Sequence, residues 1–118
     1  MGRMAVSLNA RGGSQMSYLE RAKTEFGTWS VLAMTHAPDA VVFNVGDIEI
    51  LRLTGRDTAH LCLTRPVLER LQDALAISAH VHLAAQDGWI TLRLDTRADL
   101  DLLVALVSLA IKANTDPA

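Results

Sequence analysis

The apolar positions of this chain change period several times, and each change predicts an element. Ser17, with Glu20 three residues on, has the form of a capping box. Leu19, Ala22 and Phe26 then recur at helical spacing until Gly27 interrupts the run, so a helix is expected over 17–26. From Ser30 the chain breaks into short apolar stretches: SVLAMTH, VVFNV, IEILRL and TAHLCL, bounded by APDA, Gly46-Asp47 and TGRD. A parallel crossover needs about a dozen residues. Gaps this short therefore predict four antiparallel strands in a meander. In the third strand, simple alternation sets Ile48, Ile50 and Arg52 on one side and Glu49, Leu51 and Leu53 on the other.

Beyond Thr64, a candidate N-cap, Pro66 falls in a first turn where its missing N–H costs nothing, and Val67, Leu68, Leu71, Ala74 and Leu75 form one stripe. A helix over 65–77 follows. A strand at 80–83, the loop AAQDG and the strand WITLRLD make a hairpin, after which Thr96 with Asp99 caps a long helix to about Ala113. The whole predicts one α+β domain, a mainly antiparallel sheet of meander plus hairpin covered on one face by two to three helices. The domain is expected over 16–113, after a flexible leader at 1–15 and before a polar tail at 114–118. Met16 offers an alternative start of translation.

The last helix carries more apolar surface than a single sheet face needs. Asp101, Ala105, Ser108 and Lys112 share a narrow polar stripe, while Leu100, Leu102, Leu103, Val104, Leu106, Val107, Leu109 and Ile111 occupy most of the rest. Either the shorter helices flank it, or a second subunit does. A homodimer with a twofold interface through this helix or an edge strand is expected.

Composition narrows the function classes. At 118 residues the chain has the length of a single domain, and half of its residues are hydrophobic but only 4% aromatic, so aliphatic side chains must build the core. Eleven basic against thirteen acidic residues leave a formal net charge of −2, which argues against neutralising a run of phosphates on nucleic acid. Cys62 is the sole cysteine, so no internal disulfide forms, and no apolar run reaches membrane-spanning length. A cytoplasmic setting is expected.

Chemistry, if present, is expected among the histidines. His36 closes a strand before Pro38-Asp39 and reads as an exposed or turn-stabilising residue. His60 and Cys62, like His80 and His82, are spaced i, i+2 and so project from one strand face. Were the two strands adjacent, His60, Cys62, His80 and His82 would suit zinc or another transition metal. The plainer alternative is a half-exposed polar face with Cys62 acting as a small hydrophobe. In Asp87-Gly88-Trp89 the glycine supplies a positive φ and Trp89 enters the core. Alternatively, Trp89 walls a pocket beside His80 and His82 while Asp87 orients an imidazole. No nucleophile elbow or phosphate-binding glycine loop is present. Arg52, Arg56, Arg65, Arg93 and Arg97 read as solvated charges or partners of nearby carboxylates.

The segment FNVGDIEILRLTGRDTAHL, a helix, then HVHLAAQDGWITLRL and a final apolar helix, resembles the small bacterial luciferase-domain family over roughly residues 40–112. Gly46, Gly55, His60, His80, Gly88 and Trp89 match its pattern, with His82 close to register. Cys62 stands where the family has a second histidine, the segment after His60 is short, and Ala84-Ala85 replace a usual proline. The resemblance implies a sheet-and-helix domain without a settled activity, and it does not imply light production. The order of elements also resembles the MmcQ/YjbR group, which has been linked to DNA binding, although the acidic balance argues against that role here.

Two function classes therefore stand open. The first is a binding or interaction module for a small-molecule ligand, with His60, His80, His82, Asp87 and Trp89 as candidate ligand-binding residues and no cofactor. The second is a metalloprotein or enzyme built on the histidines.

Overall fold

The structure is a computed structural model that describes residues 17–84 and 87–115. The leader expected over 1–15 lies outside the described residues, as do residues 116–118 of the expected tail. Ser17 opens α1 (Tyr18–Gly27) as the capping pattern requires, its Oγ accepting the Glu20 N–H at 3.1 Å. Leu19, Ala22 and Phe26 are its buried face. The chain then turns rather than entering a strand at Ser30. The Leu32 N–H donates to the Trp29 carbonyl, and β1 (Ala33–Ala37) starts three residues later than expected.

Strands β2 (Ala40–Val45), β3 (Ile48–Thr54) and β4 (Thr58–Cys62) complete the antiparallel meander. After α2 (Arg65–Leu75) the hairpin of β5 (Val81–Leu83) and β6 (Trp89–Arg93) joins on, β6 against β4. The six-stranded sheet has the order β1-β2-β3-β4-β6-β5, which leaves β1 and β5 as edges. Finally α3 (Arg97–Thr115) lies across the sheet, touching β2, β3, β4 and β6 and also α1.

One face of the sheet makes the core. Val41, Phe43 and Val45 of β2, Leu51 and Leu53 of β3, Ala59 and Leu61 of β4, and Ile90 and Leu92 of β6 join the buried residues of all three helices in one cluster. Phe26 stacks edge-on against Phe43, with ring centroids 5.9 Å apart, and so fixes α1 to the sheet. Val42 is buried but stands outside that cluster, because alternation points it to the opposite face. The domain is thus α+β, with its helices gathered on a single sheet face.

Three local expectations need correction. In β3, Phe43 pairs with Leu51 but Asn44 pairs with Glu49, so Ile50 is the extra residue of a β-bulge. The bulge resets the alternation: Ile50 joins Leu51 in the core, and Glu49 falls beside Arg52 instead of opposite it. Thr64 precedes α2 as expected, but its side chain makes no capping bond and its φ is +72°. Its backbone is held instead by the Gly88 carbonyl, which accepts the N–H groups of both Leu63 and Thr64. Lastly, α3 does not stop at Ala113. Asn114 is a working part of the helix, donating to the Ala110 carbonyl and to the Cys62 carbonyl of β4.

The apolar excess of α3 is largely consumed within the chain. Asp101, Ala105, Ser108 and Lys112 are exposed, matching the polar stripe, and Leu102, Val104 and Ile111 are partly buried against the core. Leu109, 40% exposed, is left over.

Candidate functional site on the polar face of the sheet

Cross-strand register builds a row across the face opposite the helices. Thr35 pairs with Val42, Val42 with Arg52, Arg52 with His60, His60 with Thr91, and Thr91 with His82. Residues directly opposite one another on adjacent strands share a face and touch. The row is thus polar from β3 to β5, with His60 at its centre.

His60 is half-buried and satisfied at both ring nitrogens. Its Nε2 lies 3.2 Å from the Thr54 hydroxyl and its Nδ1 3.3 Å from the Thr91 hydroxyl. A hydroxyl can donate or accept, so either neutral tautomer fits. Burial, reinforced by the Arg52 charge opposite, pushes the His60 pKa below the ordinary imidazole value. Arg52 is itself fixed by a two-pronged pair with Glu49, Nε to Oε2 at 2.8 Å and Nη2 to Oε1 at 3.1 Å. The bulge at Ile50 is what allows this pair, since undisturbed alternation would have put the two side chains on opposite faces.

Beside this row lies a cleft of about 200 Å³ lined by Glu49, Arg52, His60, Ala84 and Trp89. Trp89 is partly exposed at the start of β6 and walls this cleft rather than entering the core. The groups lining it are an indole, an imidazole already bonded to the Thr54 and Thr91 hydroxyls, and a guanidinium oriented by a carboxylate.

The other sequence candidates are drawn elsewhere. His80 points to the start of α3, where its Nδ1 donates to Asp99 Oδ2 at 2.8 Å. The same oxygen accepts the backbone N–H groups of Asp95 and Thr96 at 2.9 Å. Asp87 faces Arg65 at 3.8 Å, on the exposed surface, so Asp99 and not Asp87 orients an imidazole. Cys62 is half-buried, its thiol 3.7 Å from Asn114 Oδ1, and burial raises its pKa. His82 is exposed at the β5 edge, and His36 is exposed on β1. The proposed metal ligands therefore do not converge. Among the described residues no three His, Cys, Asp or Glu side chains are grouped so as to hold a metal ion. The sequence patterns passed over Glu49, Thr54 and Thr91, and they read Asp99 only as a cap. Arg52, read as the partner of a nearby carboxylate, is that and also part of the cleft.

The family model described as the Luciferase domain matches residues 47–110, more than half of the chain, and the chain belongs to that family. Every residue lining the cleft lies within the matched segment. No curated protein and no solved structure matches the chain. Among the described residues, no helix is long and apolar enough to cross a membrane.

Proposed function

We propose that this protein is a binding domain that receives a small, planar, polar molecule on the polar face of its sheet. The observation that carries this reading is the cleft in which Trp89 stands beside His60 and the Glu49–Arg52 pair. An indole offers a stacking surface, and a ligand edge that reaches His60 exchanges with the Thr54 or Thr91 hydroxyl now bonded to its ring. The Arg52 charge is already balanced by Glu49, which favours an uncharged ligand over a free anion. At about 200 Å³ the cleft is smaller than the roughly 300–1,000 Å³ of drug-sized sites, so a compact ligand is implied. The chain has two tryptophans, so in a Trp29→Phe background Trp89 alone reports binding. Titration with planar amides and heterocycles such as benzamide and uracil should change Trp89 emission saturably, and His60→Ala should weaken that response about tenfold. Silence across the panel in both emission and melting temperature would dismiss the reading.

The same reading includes a homodimer in a reducing cytoplasm. Support for association comes from the β5 edge: the strand bears no Lys, Arg, Asp or Glu, Leu83 is 72% exposed, and Ile77, four residues before the strand, is 87% exposed. A twofold pairing of β5 edges would continue the sheet and cover both. Light scattering on the eluting protein should give about twice 12.8 kDa, with Leu83→Lys returning monomer. A monomeric mass throughout a dilution series would overturn the dimer while leaving the cleft untouched.

A further inference from the structure

A second concavity lies on the helical side, between the first turns of α2 and the last turns of α3. It has a volume of about 410 Å³ and is lined by Thr64, Pro66, Val67, Arg70, Leu109, Lys112 and Ala113. Its chemistry differs from that of the sheet face. The apolar lining comes from Pro66, Val67, Ala113 and Leu109, the large apolar side chain that α3 leaves exposed. At its rim stand Arg70 and Lys112, both exposed, and neither is ion-paired among the described residues. No acidic side chain lines the groove. The comparable hollow between α1 and α3 is instead of mixed charge, lined by Arg21, Arg97, Glu25 and Asp101, with Arg97 bound to Asp101 at 3.3 Å.

We propose that the α2–α3 groove binds an amphiphilic monocarboxylate, with its hydrocarbon chain along Val67 and Leu109 and its carboxylate between Arg70 and Lys112. Charge complementarity selects this occupant. Two cations of different helices line one apolar trough that no acidic side chain lines, which favours a carboxylate head there, and the trough rewards an aliphatic tail attached to that head. The volume falls within the range of small-molecule sites. The long stems of Arg70 and Lys112 extend the apolar surface while their heads stay in water.

The test uses octanoate as probe, followed by amide chemical shifts of the full chain. Octanoate should produce saturable shifts at Thr64, Val67, Leu109 and Ala113 while leaving the Trp89 indole unmoved. Octanol and inorganic phosphate, each carrying half of the recognition, should produce none at the same concentrations. Arg70→Gln and Lys112→Gln should each weaken octanoate about tenfold, the loss expected on removing one charge-assisted hydrogen bond. Leu109→Asp should abolish binding with the fold retained, as judged by unchanged shifts in β2 and β3. Equal binding of octanol, equal binding of phosphate, or octanoate binding unaffected by both Gln variants would overturn the proposal. Because the cleft on the sheet face is read by Trp89, failure there and failure here are separately visible.

Discussion

His80 and Asp99 meet at 2.8 Å, joining the start of the β5 edge strand to the first turn of α3. Asp99 is the polar side chain within the described core, 6% exposed, and is surrounded by donors. Burial pulls its carboxyl pKa upward, but hydrogen bonds from the Asp95 N–H, His80 and Thr96 outweigh that pull and set it below the ordinary carboxylate value. A carboxyl with a lowered folded-state pKa contributes stability that is present above its unfolded value, near 3.9, and is lost as pH falls through the folded value. Asp99→Ala should destabilise the domain by about 2 kcal/mol at neutral pH, through loss of a cap and of a charge-assisted bond. Asp99→Asn, which keeps an acceptor for the cap, should cost about half as much. In urea titrations both variants should lose less stability than wild type on acidification below about pH 4.

His60 behaves in the opposite sense to a histidine stabilised by an acid. With its pKa lowered by burial and then by Arg52, the unfolded chain binds a proton more readily than the folded one. Stability should therefore rise with pH through the window that begins at the depressed folded value and ends near 6.5. Arg52→Gln removes the smaller of the two causes, so the His60 ring should titrate closer to 6.5 without reaching it. The imidazole proton shifts measured against pH check this directly. A His60 pKa unmoved by Arg52→Gln would show that the guanidinium charge is screened from the ring.

Much of the fold follows from local pattern alone. Capping at Ser17, the apolar spacing of Leu19, Ala22 and Phe26, the short gaps of the meander and the polar stripe of α3 all depend on near neighbours in sequence. The site was less legible for a physical reason. Glu49 and Arg52 share a face only because the bulge at Ile50 shifts the pleat by one residue, and a bulge is set by the partner strand. His60 and His82 share a sheet face, but the convergence expected of adjacent strands fails because β6 lies between β4 and β5 and sets Thr91 between them, and His80 is drawn off by Asp99, 19 residues away at the head of α3. Trp89 reads first as entering the core, with a cleft wall as the alternative; in β6 it alternates with Ile90 and Leu92, which take the core face, and so falls on the polar face with Thr91.

Asn114 illustrates the same dependence at the other end of α3. Its amide donates to the Ala110 carbonyl at 2.8 Å and to the Cys62 carbonyl at 3.0 Å, so the helix terminus is pinned to the end of β4. Replacing it with alanine leaves a partly buried strand carbonyl without that donor, and Asn114→Ala should cost about 1–2 kcal/mol. Asn114→Asp, which keeps the size but loses the amide donor, should be no better than alanine. Hydrogen exchange should show faster opening confined to the last turn of α3 and to Cys62–Thr64. A uniform change across the sheet would instead make Asn114 part of the global core.

Gly88 is the glycine on which the region between the two proposed sites turns. Its φ is +84°, its carbonyl accepts from both Leu63 and Thr64, and a Cβ placed on it would stand 3.2 Å from the Thr64 Cα. That neighbour is backbone and cannot swing aside, and it is already held at φ +72° by the same two hydrogen bonds. Gly46 and Gly55 also have positive φ, but a Cβ at either meets nothing within 4 Å. Gly46→Ala and Gly55→Ala should therefore cost only the conformational penalty of about 1–2 kcal/mol. Gly88→Ala adds a steric term to the same penalty and should cost about 3 kcal/mol or more. Relief of the clash must move Thr64, at the head of α2, or Trp89, in the cleft wall, so Gly88→Ala should also shift Trp89 emission in the Trp29→Phe background. Chemical denaturation of the three alanine variants measures the ranking, and equal losses at all three glycines would show that the Gly88–Thr64 approach carries no energetic weight.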